Sequence, residues 1–456
     1  MALSVVILAA GQGTRMKSAR PKVLQPLAGR PMLEHVMLTA ARLDAESIHV
    51  VYGFGGDQVV DAFTTHEVNW VHQAQQLGTG HAVLQAMPGI ADQDLVLVLC
   101  GDVPLVRAET LRPLVEAARQ GAAVLTVIVD EPHGYGRIVR DADGRVARIV
   151  EQRDASPEEC DIREVNTGLI AARAGDLKRW LSALEPDNAQ GEYYLTDIVA
   201  MAVAEGVRVS AVQAGSGDEV RGINDRIQLA AAERLLCLRR AHELMRDGVT
   251  VVDPARLDVR GTVRCGRDVV IDVNVILEGE VVLDDGVRIG PNVHLTDVHL
   301  GAGTEVLDNT VIESSRTGSR CVLGPFARIR PGTELAEMVK VGNFVEIKKS
   351  RIGCGSKVNH LTYVGDSKIG ESVNVGAGTI TCNYDGANKH RTTIGDGAFI
   401  GSGVMLVAPV EIGAGATIGA GSVISRDAPA NELTVARARQ RIVPGWQRPK
   451  KDAAGK

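Results

Sequence analysis

The sequence has few aromatic residues, no excess of positive charge and no closely spaced pair of cysteines, and each of these features argues against a class of protein. Aromatic side chains make up only 3% of the 456 residues, so the cores must be packed mainly with aliphatic side chains. The seven cysteines form no C-x-x-C pair, which argues against a zinc or disulfide framework and favours reduced thiols in the cytoplasm. A formal net charge of −6 argues against general binding to nucleic acid or to an anionic membrane.

Long apolar runs are also missing. No stretch reaches the roughly 18 residues of a membrane-spanning helix. The apolar run at 1–10 lacks a basic leading segment and continues into a Gly-rich loop, so we expect a first β-strand rather than a signal peptide. Glycine is abundant, at 50 residues, but does not recur at every third position as in collagen. This composition predicts a glycine-punctuated repeat, and the length predicts two or three domains.

Residues 1–224 alternate short aliphatic runs with helical patterns. The predicted strands are Val5–Ala10, His49–Tyr52, Leu95–Cys100, Val124–Val129 and Val207–Val212, and the predicted helices are Pro31–Ala41, Gly80–Met87 and Thr110–Gln120. Apolar strands that alternate with helices indicate a mainly parallel sheet covered on both faces, which is an α/β domain. A long helix over 225–247, with an N-cap at Asn224 or Asp225, is predicted to follow as a linker.

Beyond residue 250 the aliphatic residues recur every six positions in several runs. They fall at Ile271, Leu277, Leu283, Ile289, Leu295, Leu300, Val306, Ile312, Leu323, Ile329, Leu335, Val341, Ile347, Ile352, Val358, Val364, Ile369, Val375, Ile394, Ile400, Leu406, Ile412, Ile418 and Ile424. A period of six fits neither an α-helix nor a hairpin meander, but it is typical of a parallel β-helix with one inward aliphatic residue per face. We therefore expect a β-helix over 248–446, with an extruded loop at Thr381–Thr393 and a disordered tail at 447–456.

Two segments of the α/β half suggest chemistry. Gly11 and Gly13 follow the first strand in a turn whose backbone N–H groups could approach phosphates, with Arg15 and Lys22 to neutralise them. The spacing is not G-x-G-x-x-G, so NAD is disfavoured. Asp102 follows the strand Leu95–Cys100, where open α/β sheets bind ligands, and its carboxylate suits Mg²⁺. Alternatively, Asp102 is a turn residue before a proline, and Asn224 is only a helix cap.

Several motifs occur in the order and spacing of the sugar-phosphate nucleotidyltransferases. They are Leu8-Ala9-Ala10-Gly11-x-Gly13-Thr14-Arg15-Met16, Pro21-Lys22, Gln73, Gly78-Thr79, Gly101-Asp102, Tyr135-Gly136-Arg137, Glu151, Asn166-Thr167-Gly168 and Gly222-Ile223-Asn224. With the hexapeptide half attached, residues 4–446 resemble the bacterial bifunctional N-acetylglucosamine-1-phosphate uridylyltransferase and glucosamine-1-phosphate acetyltransferase family. The resemblance implies a Rossmann-like uridylyltransferase domain at 1–224, a helical linker at 225–247 and a left-handed parallel β-helix acetyltransferase domain at 248–446.

The resemblance also implies roles for residues of the first half. Arg15 and Lys22 would contact the triphosphate during catalysis, and Asp102 with Asn224 would ligate Mg²⁺. The residues implied to bind UTP or UDP-N-acetylglucosamine are Leu8, Ala9, Ala10, Gly11, Lys22, Gln73, Gly78, Thr79, Cys100, Gly101, Asp102, Gly136, Glu151, Asn166 and Asn224. One departure is Cys100, because related chains often have tyrosine before the Gly-Asp pair.

In the second half, polar residues are dispersed around the aliphatic repeat, and taken singly most could simply face solvent. His360 is the one with acid–base capacity near neutral pH, and the resemblance implies that it deprotonates the amine of glucosamine 1-phosphate. Residues implied to bind that substrate are Arg330, Lys348, Tyr363 and Asn374. Residues implied to bind acetyl-CoA are Ala377, Asn383, Tyr384, Ser402, Ala420 and Arg437. Lys389 is a further polar residue of the loop.

The activity implied by the resemblance is the two-step synthesis of UDP-N-acetylglucosamine. Acetyl transfer from acetyl-CoA to glucosamine 1-phosphate precedes Mg²⁺-dependent uridylyl transfer from UTP, which releases pyrophosphate. The family arrangement implies a cytoplasmic homotrimer that binds no nucleic acid and no membrane. Two alternatives stay open: a nucleotidyltransferase with a single activity and a structural or regulatory β-helix, and a non-catalytic binding module that resembles the translation-initiation-factor subunits.

Overall fold

The chain folds as two compact units. The computed structural model describes residues 1–449, and one unit comprises Met1–Arg239 while the other begins at Arg240. No helix within the described residues is both long enough and apolar enough to cross a membrane. Of the tail expected at 447–456, residues 450–456 lie outside the described part of the chain.

The first unit alternates strands with helices. Its strands are β1 (Leu3–Leu8), β2 (Pro26–Leu27), β3 (Arg30–Pro31), β4 (Ser47–Tyr52), β5 (Asn69–His72), β6 (Leu95–Cys100), β7 (Ala122–Ile128), β8 (Arg137–Arg140), β9 (Val146–Val150), β10 (Glu164–Arg173) and β11 (Val209–Gln213). The helices are α1 (Met32–Ala41), α2 (Gly56–Asp61), α3 (Thr79–Ala86), α4 (Ala108–Ala118), α5 (Pro157–Cys160), α6 (Ala174–Ser182), α7 (Asp197–Ala204) and, across the boundary between the units, α8 (Arg226–Arg246). Every strand and helix predicted here has an observed counterpart with similar bounds.

The main sheet is covered on both faces, as predicted. Its strands lie in the order β11-β7-β10-β6-β1-β4-β5, with the hairpin β8–β9 attached to β10. Successive residues of one strand enter different cores: Val5 and Ile7 pack in one apolar cluster, and Val6 packs in another. A strand whose two faces are both buried reads as a continuous apolar run, which explains why β1 and β6 are predictable from sequence.

The main sheet is mainly parallel, as expected, with one central exception. Strand β10 lies between β6 and β7 and runs antiparallel to both. The sequence hides this strand because the polar run Asn166-Thr167-Gly168 interrupts its apolar pattern, and the register shifts between Asn166 and Ile170. The α/β class itself is confirmed.

The carboxyl ends of two central parallel strands form the edge that carries the first site. Leu8 of β1 lies opposite Cys100 of β6, and the N–H of Gly101 donates to the carbonyl of Leu8 at 2.9 Å. The loops that follow β1 and β6 therefore begin side by side. In open α/β sheets this edge is where ligands bind.

The start of α8 separates two roles that the sequence leaves open for Asn224. The Asp225 carboxylate accepts a hydrogen bond from the backbone N–H of Gln228 at 2.8 Å, which is the contact of an N-cap. Asn224 Oδ1 instead accepts from the Lys22 ammonium at 3.1 Å. The helix is thus capped by Asp225, and the Asn224 side chain is available to the site.

The second unit is a parallel β-helix. Its strands are β12 (Thr250–Val251), β13 (Leu257–Cys265), β14 (Val270–Ile271), β15 (Val275–Leu283), β16 (Arg288–Ile289), β17 (His294–Leu300), β18 (Glu305–Val306), β19 (Val311–Thr317), β20 (Val322–Leu323), β21 (Arg328–Ile329), β22 (Glu334–Leu335), β23 (Lys340–Asn343), β24 (Glu346–Lys348), β25 (Arg351–Ile352), β26 (Lys357–His360), β27 (Tyr363–Gly365), β28 (Ser367–Ile369), β29 (Asn374–Val375), β30 (Ile380–Cys382), β31 (Thr392–Ile394), β32 (Phe399–Ile400), β33 (Met405–Val407), β34 (Val410–Ile412), β35 (Thr417–Ile418), β36 (Val423–Ile424) and β37 (Leu433–Thr434). Two faces matter below: face A contains β23, β26, β29 and β32, and face B contains β21, β24, β27, β30 and β33.

The period of six is confirmed by burial. All 24 aliphatic residues of the pattern are at most 4% exposed and belong to one continuous core, from Ile271 at one end to Ile424 at the other. A narrow interior that receives one aliphatic side chain per face leaves little room for aromatic rings, which accounts for the low aromatic content.

The extruded loop predicted around residues 381–393 is present. On face A, successive rungs are 17 residues apart from Lys340 to Lys357 and from Lys357 to Asn374, but the next step, to Phe399, takes 25 residues. The extra residues form a loop that projects from the β-helix between β30 and β31. Within this loop an isolated antiparallel bridge joins Tyr384 and Lys389.

Candidate active sites

A cavity of about 310 Å³ opens at the carboxyl ends of β1 and β6. It is lined by Leu8, Ala9, Ala10, Gly11, Lys22, Val23, Gln73, Gln76, Gly78, Thr79, Ala82, Cys100, Asp102 and Glu192. Ten of these residues are among the nucleotide-binding positions implied by the sequence motifs. The structure therefore brings segments as distant in sequence as Leu8 and Asp102 into one pocket, which we call the nucleotide cavity.

Lys22, Asp102 and Asn224 form a polar cluster at this cavity. The Lys22 ammonium contacts the Asp102 carboxylate and donates to Asn224 Oδ1 at 3.1 Å. The backbone joins the same segments, since the N–H of Ile223 donates to the carbonyl of Asp102 at 2.9 Å. Two oxygens from distant segments thus converge on one positive charge.

The donor set of this cluster fits a magnesium ion. A carboxylate and an amide oxygen are ligands that Mg²⁺ accepts, and in phosphate-transfer sites it takes one or two such ligands together with phosphate oxygens and water. Within residues 1–449 no group of three or more His, Cys, Asp or Glu side chains could hold a metal by itself. Asp102 and Asn224 would therefore need oxygens from a substrate to complete the coordination.

Gly13 lets the loop after β1 approach Lys22 closely. Gly13 has a φ of 62°, and a Cβ atom at this position would overlap the Lys22 side chain. Two implied ligands on the neighbouring loops do not line the cavity itself. The backbone N–H of Gly101 donates to the carbonyl of Leu8, and Gly101 is not among the lining residues. Arg15 is exposed in a short 3₁₀ turn, Thr14–Met16.

Gly136, Glu151 and Asn166 lie together at a second part of the first unit, which we call the Glu151 cluster. The N–H of Asn166 donates to the carbonyl of Gly136 at 2.8 Å. A Cβ atom on Gly136 would lie 3.4 Å from both carboxylate oxygens of Glu151. The Thr196 hydroxyl donates to Glu151 Oε1 at 3.0 Å.

Burial is the main cause that raises the pKa of the Glu151 carboxyl, and the charges of Asp197 and Asp154 raise it further. The hydrogen bond from Thr196 acts in the opposite direction, because it stabilises the ionised form. Thr196 therefore both orients the Glu151 carboxylate and favours its charge.

Cys100 faces the nucleotide cavity but is not a reactive thiol. Burial, and then the neighbouring Asp102 carboxylate, raise the pKa of Cys100 to about 12. Its Sγ lies 3.8 Å from the carbonyl oxygen of Gly168. Since thiolates are the nucleophilic form of cysteine, Cys100 acts as part of the pocket wall.

In the second unit, His360 heads a column of residues on successive coils. Gly378, Gly403 and Gly421 donate their N–H groups to the carbonyls of His360, Ala377 and Ser402, respectively. His360, Ala377, Ser402 and Ala420 are therefore stacked at one corner of the β-helix. Arg437 donates to the carbonyl of Ala420 at the far end. Four residues implied to bind acetyl-CoA thus form a line that leads to the imidazole.

Asn343 holds the His360 ring. Asn343 pairs with His360 in register, and His360 Nδ1 lies 2.9 Å from Asn343 Oδ1. An amide oxygen can only accept, so this contact assigns the proton to Nδ1 and leaves the lone pair of Nε2 free to take a proton. The His360 residue is exposed, so that lone pair is accessible to a substrate.

Face B carries a cluster of positive charge beside this corner. Arg330 and Lys348 lie on successive coils, where the N–H of Arg330 donates to the carbonyl of Ile347 at 2.8 Å. Lys389 reaches the cluster from the extruded loop, where its hydrogen bond and charge lower the pKa of Lys348, with a smaller contribution from Arg330. Three cations that approach one another in this way suit a doubly charged phosphate.

Tyr363 and Asn383 close the other side of this cluster. A Cβ atom on Gly365 would lie 2.5 Å from the Tyr363 hydroxyl oxygen and 2.7 Å from Asn383 Nδ2, so only glycine allows this arrangement. Asn383 Nδ2 donates to Asp366 Oδ2 at 2.5 Å. Tyr384 is exposed in the loop, where its hydroxyl donates to the carbonyl of Gly386 at 2.6 Å.

One implied substrate ligand is separated from the others. Asn374 lies on face A, paired with Lys357 and Phe399. Tyr363 lies on face B, where it pairs with Glu346 and Ile380. Within a single chain, the implied glucosamine 1-phosphate ligands are therefore divided between two faces.

Comparison with known proteins identifies the family. Over 448 residues the chain is 58% identical to the bifunctional protein GlmU of Alkalilimnicola ehrlichii, covering 98% of this chain and 97% of that relative. It is 58% identical to GlmU of Methylococcus capsulatus, over 99% and 98% of the two chains, and 57% identical to GlmU of Aromatoleum aromaticum, over 99% and 100%. The chain belongs to the bifunctional GlmU family.

The two halves of this GlmU-family chain also match separate family models. Residues 5–163 match the MobA-like NTP transferase domain, and residues 391–426 match the bacterial transferase hexapeptide family with six repeats. The resemblance inferred from the motifs and the predicted fold class are both confirmed.

In this GlmU-family chain, two residues that the motifs do not assign contact residues of the candidate sites. Thr196 bonds to Glu151 in the Glu151 cluster, and Lys389 interacts with Lys348 in the cationic cluster. The signal for Lys389 is its position in the polar loop that interrupts the repeat. The sequence holds no comparable signal for Thr196, because only the fold brings it to Glu151.

Proposed function

We propose that the chain makes UDP-N-acetylglucosamine in two steps, one in each unit. The second unit transfers an acetyl group from acetyl-CoA to glucosamine 1-phosphate, and the first transfers a uridylyl group from UTP to the N-acetylglucosamine 1-phosphate formed. The observation that carries this proposal is that one chain holds two separate sets of chemistry-bearing residues. One set is the Lys22–Asp102–Asn224 cluster at the nucleotide cavity. The other is His360 beside the cationic cluster on face B.

In the uridylyl step the sugar phosphate attacks the α-phosphorus of UTP in line and pyrophosphate leaves. A phosphate monoester is already an anionic nucleophile, so no general base is needed, and catalysis rests on positioning and charge neutralisation. Lys22 would neutralise the triphosphate from within the cavity, and Arg15 from the loop at its edge. Gln73, Gly78 and Thr79 would hold the uridine.

Asp102 and Asn224 would hold Mg²⁺ together with phosphate oxygens. When bound, the ion would neutralise charge on the triphosphate. The support for this assignment is the convergence of the two side-chain oxygens on the Lys22 ammonium. Lys22 would be released from these oxygens to contact the phosphates.

Gly136, Glu151 and Asn166 would bind the amino sugar. An ionised Glu151 accepts hydrogen bonds from sugar hydroxyl or amide groups, and the protonated acid loses part of that capacity. Sugar binding should therefore weaken as the pH falls through the pKa of Glu151. Because burial raises that pKa, the weakening begins at a higher pH than for an exposed glutamate.

Removing the Thr196 hydroxyl should weaken sugar binding. In Thr196→Val the Glu151 carboxylate loses its oriented donor and its pKa rises further, so we expect the KM for N-acetylglucosamine 1-phosphate to increase roughly three- to tenfold. The acid limb of kcat/KM should move to higher pH. Thr196→Ser keeps the hydroxyl and is the matched control. Identical pH profiles for the Val and Ser variants would contradict the role of the hydroxyl.

In the acetyl step His360 would act as the general base. Its Nε2 would take a proton from the substrate amine as the nitrogen attacks the thioester carbonyl, and coenzyme A would leave as the thiol. Asn343 would keep the ring in the required tautomer. Arg330, Lys348 and Lys389 would bind the phosphate, and Tyr363 would place the sugar.

The acetyl-transfer site would be completed by a second copy of the chain. Asn374 on face A and Tyr363 on face B could serve one substrate where the faces of two copies meet. An exposed apolar ladder beside His360 supports such a contact: Phe326, Phe344 and Leu361 are 50%, 57% and 62% exposed. Phe326 and Phe344 stack with ring centroids 5.5 Å apart, and both have a positive φ, which bulky residues rarely adopt.

We therefore propose a closed ring in which each copy offers face A to one neighbour and face B to the other. The family resemblance implies that this ring is a homotrimer. Light scattering should give about three times the chain mass of 48.4 kDa. A monomer mass in a sample that is active in acetyl transfer would contradict this assembly.

We also propose that the protein works in the cytoplasm. None of its seven cysteines, all of which lie within residues 1–449, forms a disulfide in the structure, as is usual in a reducing compartment. UTP and acetyl-CoA would be its co-substrates there.

Two separate assays test the proposed activities. Thiol release from acetyl-CoA should require glucosamine 1-phosphate and should proceed without UTP. Pyrophosphate release from UTP should require N-acetylglucosamine 1-phosphate and a divalent cation. Absence of either reaction in a folded sample would overturn the corresponding half of the proposal.

A further inference from the structure

A chain of hydrogen-bonding side chains extends from the nucleotide cavity into helix α3. Gln73 is 2% exposed and lines the cavity. Its Nε2 lies 2.9 Å from His81 Nδ1 and 3.3 Å from the carbonyl oxygen of Gly78. On the other side of the ring, His81 Nε2 lies 3.2 Å from the amide group of Gln85.

The carbonyl of Gly78 determines how the Gln73 amide points. A carbonyl oxygen only accepts, so the Gln73 atom that faces it must be the NH₂ group. The same NH₂ group faces His81 Nδ1, which must therefore accept and carry no proton. The ring proton then lies on Nε2, and Gln85 must turn its amide oxygen towards Nε2 to accept it. That turn gives up the long contact of 3.4 Å between Gln85 Nε2 and the carbonyl oxygen of His81.

This arrangement leaves one atom of Gln73 for a ligand. Gln73 Oε1 makes no hydrogen bond to any of the residues 1–449, although its side chain lines the cavity. An amide oxygen that has no protein partner on a side chain lining a cavity can accept a hydrogen bond from a ligand donor. The cavity therefore presents a hydrogen-bond acceptor at this position.

A fixed acceptor distinguishes between pyrimidines. The N3 atom of uracil carries a proton and donates, whereas N3 of cytosine has only a lone pair and accepts. A site built to pair with a donor rejects an analogue that lacks it, because its own buried group is then left unpaired. An amide that was free to rotate could present NH₂ to cytosine and would lose this selectivity.

We propose that His81 is a positioning residue for base selectivity: through its unprotonated Nδ1 it holds the Gln73 amide with the oxygen towards the base, so that uracil is accepted and cytosine rejected. This inference rests on the proposed uridylyl transfer. The ring itself is held between Gln85 and Tyr193, whose ring centroid is 6.4 Å from that of His81.

Two substitutions of His81 separate positioning from simple packing. His81→Asn can place an amide oxygen near the position of Nδ1, so it keeps an acceptor for Gln73. His81→Gln reaches towards the position of Nε2 and leaves Gln73 held only by the longer contact to Gly78. Both variants are polar and similar in size, and the measured quantity is the ratio of kcat/KM for UTP to that for CTP, with N-acetylglucosamine 1-phosphate as co-substrate.

The expected ratio for His81→Asn is within about threefold of the parent value, and for His81→Gln it falls at least about tenfold, mainly through UTP. Equal losses with UTP and CTP in both variants, or an unchanged ratio in His81→Gln, would overturn the proposal. Failure of the proposed function itself is distinguishable, because the parent protein would then release no pyrophosphate from UTP. Thermal unfolding of each variant confirms that it is folded.

Discussion

Asp102→Ala is expected to lower kcat/KM for uridylyl transfer by at least about 10²-fold while acetyl transfer is unchanged. The carboxylate is the charged member of the pair that converges on Lys22, and Asn224 alone offers only a neutral oxygen. Without Asp102, the divalent cation would lose the anionic protein ligand that we propose for it. The assay is pyrophosphate release at saturating Mg²⁺ and UTP.

A matched control for this variant is Asp130→Ala. Asp130 is an exposed aspartate of the same unit, with its side chain 94% exposed, and it pairs with Arg163 rather than with cavity residues. The Asp130→Ala substitution should leave the rate of pyrophosphate release within about twofold of the parent value, as surface substitutions usually do. Near-normal activity of Asp102→Ala under the same conditions would contradict the metal assignment.

His360→Ala is expected to lower kcat for acetyl transfer by about 10²–10⁴-fold while uridylyl transfer is spared, since this is the usual contribution of a general base. The amine of glucosamine 1-phosphate must lose a proton to form the amide, and within the column only His360 offers a side chain suited to accept it near neutral pH. The readout is thiol release from acetyl-CoA. Pyrophosphate release from N-acetylglucosamine 1-phosphate and UTP is measured on the same sample.

His299→Ala provides the control for the loss of a histidine from the β-helix. The His299 side chain is 54% exposed and contacts Asp284 at 3.1 Å, on an earlier coil than the corner at His360. Both activities should persist in this variant. Equal loss of both activities in His360→Ala would instead indicate misfolding, and undiminished acetyl transfer would indicate a different base.

The elements that are predictable from sequence are those in which a single physical requirement repeats. The series Ile394, Ile400 and Leu406 is 2%, 0% and 0% exposed, because each coil must place one aliphatic side chain inside. Strand β6 is equally predictable because both its faces are buried. Strand β10 is not, because the polar run Asn166-Thr167-Gly168 interrupts its apolar pattern.

The nucleotide site is predictable from sequence only as a set of residues. Motifs assign Lys22, Asp102 and Asn224 to one site, but their convergence depends on a fold that brings position 224 back to the end of β6. The contact of Thr196 with Glu151 has no signal in the sequence, and the polar loop marks Lys389 as a candidate without naming Lys348 as its partner. Such pairs form between segments whose proximity is decided by the packing of the whole unit.

The ligands implied for glucosamine 1-phosphate show another limit of prediction from sequence. The motifs imply each ligand individually, yet Asn374 and Tyr363 lie on different faces of one chain. Sequence periodicity describes the interior of a β-helix well, because inward residues obey one rule. Outward residues obey no such rule, so their grouping requires the structure and, in our proposal, a second copy.

The most direct test of the proposed two-step synthesis uses one mixture of the purified chain, glucosamine 1-phosphate, acetyl-CoA, UTP and Mg²⁺. Thiol and pyrophosphate are measured separately over time, with and without acetyl-CoA. We expect that both products form, that thiol appears first, and that omission of acetyl-CoA abolishes pyrophosphate release. Pyrophosphate that forms without acetyl-CoA, or the absence of either product from the complete mixture, would contradict the two-step synthesis.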